Sequence, residues 1–226
     1  MSNEQNEKIY PNQLRRSSSM PSIHALTTKP SMRHYCYDSK LNKLQKKSLR
    51  FTWNRLQTRN GGKKIENVFE EIYERLLKQQ TVLRDMFTTR TFLSAMSRSE
   101  TASPRDHAKE TVKMIDIVIK NLDVVDSKRS DTGSLYDPFL IGKIHCHLRP
   151  YGLNGNYWEK LGETIIDILL AQEAVRDLPG AGQAWVVLTA CLVDQLRAGF
   201  EEARYSSNTN CSSLFADSEG NSDEKV

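Results

Sequence analysis

Five histidines and four cysteines are the residues of this 226-residue chain best suited to hold a metal or a ligand. His24 and His34 lie near the N-terminus, and His107, His145 and His147 lie in the central part. A neutral imidazole binds a metal through one ring nitrogen while a hydrogen bond at the other fixes its orientation. Zinc needs three or four ligands at characteristic spacing, and the histidines supply no such cluster with carboxylates. Cys36, Cys146, Cys191 and Cys211 form no CxxC pair and suggest no disulfide framework, so reduced thiols are expected. No Ser/His/Asp order, glycine-rich phosphate loop or paired-carboxylate motif is present, and an enzyme is not expected.

The three central histidines must be positioned by helices. His107 shares a helical face with Thr111, Met114 and Val118, and His145 lies between Ile141 and Leu148 on another. A histidine on a half-apolar face is most often a surface or satisfied core residue. Two such faces opposed across an apolar slot offer something further, because a haem needs only one axial histidine and an apolar, aromatic-edged cleft.

Apolar residues recur at i, i+3, i+4 and i+7 through most of the chain. Leu41, Leu44, Leu49, Trp53 and Leu56 predict a first helix, ended by Gly61-Gly62. Ile65, Val68, Phe69, Ile72, Tyr73, Leu76 and Leu77 predict a second, followed by a short piece around 82–87. Ser103-Pro104-Arg105-Asp106 opens a helix to about Leu122, with Ser as the cap, Pro at the first position and Asp at the positive end of the dipole. Residues 124–134 read as loop. Asp137-Pro138 opens a helix through Leu148 that Pro150 and Gly152 stop. Asn154 or Asn156 caps the next, which lasts to Pro179-Gly180, and a last helix carries Ala184, Trp185, Leu188, Cys191, Leu192, Leu196 and Phe200. No alternating strand pattern stands out, so the fold class is all-α, with six or seven helices.

Composition fits this reading. The chain is 38% hydrophobic and 27% charged, with 32 Lys+Arg against 28 Asp+Glu and a net charge of +4, too small an excess to argue for a nucleic-acid partner. No apolar run of membrane-spanning length and no secretory leader is seen, so no membrane partner and a cytoplasmic location are expected. Residues 1–40 and 205–226 are polar and read as a disordered arm and a disordered acidic, Ser-rich tail around a domain at 41–204.

Within 41–204 the order of features resembles the globin family, and in particular the divergent intracellular globins of nematodes. Leu49-Arg50-Phe51-Thr52-Trp53 resembles helix A with its buried Trp, and Phe87 in Leu83-Arg84-Asp85-Met86-Phe87 resembles the phenylalanine that packs on the haem. Residues 106–116, Asp-His-Ala-Lys-Glu-Thr-Val-Lys-Met-Ile-Asp, resemble the neuroglobin and cytoglobin pattern around the distal histidine, here His107. Ile141-Gly142-Lys143-Ile144-His145 is similar to the Leu-Gly-x-x-His of the proximal ligand. Trp158-Glu159-Lys160-Leu161-Gly162 and Gln183-Ala184-Trp185 resemble helices G and H.

The resemblance implies a globin fold, helices A–H packed three-on-three around a haem b. It implies His145 as the iron's proximal ligand and His107 as the distal residue and possible sixth ligand. Phe87, Tyr73, Thr111, Ile141 and Leu153 would line the pocket. The match departs from the family in lacking a proline near Thr81 and in longer connections on both sides of helix F. Spacing from Trp158 and Gly162 favours His147 as the proximal ligand; the apolar residue one turn earlier favours His145, since the residue one turn before His147 is Lys143. Tyr73 is either a core tyrosine or a hydrogen-bond donor to a bound ligand.

The implied function is reversible binding of dioxygen or another diatomic gas at a haem iron. The alternative is a six-coordinate haem protein for redox sensing or electron transfer, and the third class is a helical interaction module that has lost haem. A monomer or homodimer is expected. In the arm, Arg16-Ser17-Ser18-Ser19-Met20-Pro21 resembles the phosphoserine motif read by 14-3-3 proteins, which implies a phospho-dependent partner at Ser19.

Overall fold

Asn42 starts the first helix, α1 (Lys43–Thr58), with a reciprocal cap. Its side-chain oxygen accepts from the Gln45 amide at 2.8 Å, and the Gln45 side chain accepts from the Asn42 amide at 2.9 Å. Gly61 and Gly62 turn the chain with φ of 56° and 77°, a region that favours glycine. The computed structural model describes residues 37–97 and 103–214, so the expected arm with its Ser19 motif lies outside the described residues, as does the tail beyond 214.

α2 (Ile65–Gln79) buries the stripe Val68, Phe69, Ile72, Tyr73 and Leu76. Extended Gln80 separates it from α3 (Thr81–Ser97), which is much longer than the short piece expected around 82–87, since no Gly or Pro interrupts it. α4 (Pro104–Lys120) begins as expected: Ser103 accepts from the Asp106 amide at 3.2 Å, with Pro104 at the first position.

The loop after α4 is pinned in place. The Asn121 side chain donates to Ser130 Oγ at 2.8 Å and accepts from the Ser130 amide at 3.0 Å. A buried Arg129–Asp131 ion pair lies beneath Tyr37, whose ring is 5.1 Å from the Arg129 guanidinium.

α5 (Pro138–Ile144) is capped by Asp137, which accepts from the Phe139 amide at 2.9 Å. The helix expected to reach Leu148 tightens instead into a 3-10 segment, His145–Tyr151. Pro150 has no amide hydrogen to give the Cys146 carbonyl, so the α-helical ladder cannot continue there. Gly152 closes the segment at φ 101°.

α6 (Asn156–Ala171) stops well before Pro179. The Gln172 side chain explains the early end: it donates to the Ile168 carbonyl at 2.9 Å and accepts from Asn60 at 3.0 Å, holding residue 172 in an extended conformation. One further turn, α7 (Glu173–Arg176), leads to α8 (Ala181–Leu214), which continues past the boundary expected at 204.

Among the described residues there is no strand, and the expectation of an all-α chain holds. α2 packs on α4 and α6, and α8 packs on α1, α5 and α6. Trp53 and Trp185 anchor the core with ring centroids 5.9 Å apart. Their indole N–H groups do not go unpaired: Trp53 donates to Asp116 and Trp185 to Thr52, each at 2.9 Å. Burying each large apolar side chain contributes about 1.5–3 kcal/mol. No helix among the described residues is long and apolar enough to cross a membrane.

Candidate functional site

His107 and His145 come from distant parts of the chain and meet inside the bundle, their ring centroids 6.4 Å apart. His107 sits in the first turn of α4 and His145 at the junction of α5 with the 3-10 segment. Each ring is tied to its own backbone by one nitrogen. Nδ1 of His145 donates to the Ile141 carbonyl at 2.8 Å, and Nδ1 of His107 donates to the Ser103 carbonyl at 3.2 Å. A carbonyl only accepts, so both Nδ1 atoms carry the hydrogen and both Nε2 atoms keep their lone pair. Burial pushes both imidazoles below their ordinary pKa, which keeps them neutral at neutral pH and able to bind a metal.

The approach of α5 to α8 sets the position of His145. A side-chain carbon at Gly142 would overlap the Leu196 carbonyl, and one at Gly199 would overlap the carbonyl of Phe139. These two glycines let the helix backbones touch one turn before His145. Lys143–Glu202 at 3.8 Å and Arg149–Glu201 at 3.2 Å continue the contact along α8.

Aromatic rings surround the pair. Phe87 meets His107 edge-on at 4.7 Å, and Tyr73 lies 5.9 Å from His107 and 6.3 Å from Phe87. Trp158 meets His145 edge-on at 5.4 Å and Phe200 at 6.1 Å. The Tyr73 hydroxyl and the Thr111 hydroxyl are 2.7 Å apart. Such a pair uses one of its two hydrogens internally and keeps the other free to donate. Burial raises the Tyr73 pKa, so its hydroxyl stays protonated.

The structure thus brings together His107, His145, Phe87, Tyr73 and Thr111. Ile141 is half-buried and contributes its carbonyl; Leu153 is buried in the core after the 3-10 segment. His147 is exposed, its Nδ1 3.9 Å from the Cys146 sulfur. Of the two histidines the sequence left in competition, it is His145 that faces His107. Among the described residues no group of three or more His, Cys, Asp or Glu could enclose a metal ion, so the opposed imidazoles are the donor set the site offers.

Trp158, Phe200 and Arg149 carry no signal in the sequence for a role at the site. Phe200 is part of an apolar stripe like any core residue, and no periodicity shows that Trp158 turns toward His145. A signal did exist for Gly142, since glycine inside a helix costs about 1 kcal/mol relative to alanine and needs a reason.

No protein-family model matches the chain. It is similar to Globin-like protein 9 of Caenorhabditis elegans, 27% identical over 173 residues, which cover 74% of this chain and 65% of that protein. The Caenorhabditis briggsae protein of the same name is also 27% identical over 173 residues, 66% of its length. Globin-related protein glb-13 of Caenorhabditis elegans is 34% identical over 99 residues, 43% of this chain and 32% of that one. The chain therefore spans just under two thirds of the length of the first two relatives.

Proposed function

We propose, for a chain that has the globin fold and resembles the divergent globins of nematodes, that it binds one b-type haem between His145 and His107. The observation that carries this reading is the 6.4 Å between the two rings, each turned outward from its own helix by an Nδ1–carbonyl bond. Two metal–imidazole bonds of about 2 Å and two ring radii of about 1.1 Å together span close to that distance. The surroundings also fit: apolar and aromatic side chains and neutral imidazoles.

A haem held there supplies an iron that takes a diatomic gas when ferrous and exchanges one electron between its two oxidation states. The chain's own groups do the rest. The Ile141 carbonyl fixes the tautomer of His145 and makes its Nε2 a better ligand. His107 is held by the longer of the two bonds, which it donates to the Ser103 carbonyl of the helix cap. Phe87 and Tyr73 shield His107 from water, and the Tyr73–Thr111 pair keeps one hydroxyl hydrogen to offer a bound ligand.

The ring separation supports the six-coordinate reading over an open distal position. His107 and His145 would hold the group between them, and a haem held by both imidazoles would supply redox or gas-sensing chemistry rather than bulk storage. The protein binds rather than catalyses. Titration of the purified protein with haemin tests the assignment: a Soret band that saturates at one equivalent, with haem extractable by acid, is expected. Absence of a Soret band would overturn it.

A further inference from the structure

Trp158 is 8% exposed, and its indole N–H is buried without a hydrogen-bond partner. The other two core tryptophans both donate, so this silence is particular to Trp158. A buried donor left unmet costs free energy, and native proteins retain few of them without a reason. The ring stands edge-on to His145 at 5.4 Å and also meets Phe200 at 6.1 Å. A second buried donor without a partner, Arg149 Nε, belongs to the guanidinium that lies 3.9 Å over the same Phe200 ring. The rest of that guanidinium is engaged: it donates to the Phe200 carbonyl at 2.8 Å and pairs with Glu201 at 3.2 Å. Two unmet donors therefore adjoin the Phe200 ring, one of them on the indole that meets His145, and no acceptor of the described chain serves either.

We propose that the Trp158 indole N–H is a binding residue for the cofactor, donating to one of its carboxylates. The inference rests on the haem reading. A carboxylate is the acceptor chemistry that haem brings to a protein, and an ionised acceptor strengthens the bond. Trp158 then holds the cofactor on the side of His145 by a contact independent of the iron.

The test compares wild-type protein and Trp158→Phe, each loaded with haemin or with haemin dimethyl ester, whose carboxylates are neutral esters. Loss to an excess of apomyoglobin is timed by absorbance, and the indole ¹H–¹⁵N resonance of Trp158 is followed in both loaded forms. Trp158→Phe is expected to speed haemin loss on the order of ten-fold. It should leave loss of the ester nearly unchanged, and the indole resonance should move downfield with haemin and not with the ester. Equal acceleration for both cofactors, or for neither, together with an indole resonance that does not distinguish them, would overturn the proposal and reduce Trp158 to packing. Failure of every form to take up cofactor would instead strike at the haem reading itself.

Discussion

Gly142 in α5 lies against the carbonyl of Leu196 in α8 with no room for a side chain between them. That contact is backbone to backbone, so neither partner can swing aside. Gly142→Ala is expected to force the helices apart, destabilise the fold by about 1–3 kcal/mol and loosen haem. Gly182→Ala, in the first turn of α8 against the flexible end of Leu170 at 3.2 Å, should be close to neutral. Thermal unfolding of the two variants checks this. Equal melting temperatures would mean that the α5–α8 approach is not needed.

His145 and His147 lie two residues apart, but only His145 faces His107. His145→Ala should lose most haem because the proximal iron bond goes, and His147→Ala should keep it. Haem content after gel filtration distinguishes the two. The reverse pattern would transfer the proximal role to His147.

Much of this arrangement is legible in the sequence. The caps at Ser103 and Asp137 and the Gly61-Gly62 turn act locally, through hydrogen bonds and φ, and appear where their residues stand, though the first helix already ends at Thr58. The boundaries that differ depend on contacts across the chain. α6 ends early because Gln172 meets Asn60 from a distant turn, and periodicity carries no trace of that meeting. The histidines follow the same rule: their faces can be read from spacing, but the tightening at His145 that separates it from His147 is a tertiary outcome.

Asp116 joins α1 to α4. Burial pushes its carboxyl pKa up, but hydrogen bonds from Lys120 and Trp53, the Lys120 charge and a weaker bond from Gln57 outweigh this and hold it below the ordinary carboxylate value. A folded-state pKa below the unfolded one gives stability that is present above about pH 4 and is lost as pH falls through the folded value. Asp116→Asn should therefore be less stable than the wild type at neutral pH, with the difference shrinking on acidification. Urea melts from pH 7 to pH 3 measure it; a constant difference would show that the carboxylate's charge plays no part.

The Tyr73–Thr111 hydroxyl pair offers one hydrogen to a bound ligand. Tyr73→Phe should raise the rate of dioxygen release several-fold to about ten-fold, the loss of about 1 kcal/mol of hydrogen bonding. Stopped-flow displacement by carbon monoxide gives the rate. No change would return Tyr73 to a packing role.

If His107 and His145 share one haem iron, the absorption spectrum of the ferrous, gas-free protein will show the sharp, well-separated α and β bands of low-spin six-coordinate iron. In His107→Leu these will give way to the single broad band of a five-coordinate site. A broad five-coordinate band in the wild type, unchanged by His107→Leu, would contradict that sharing.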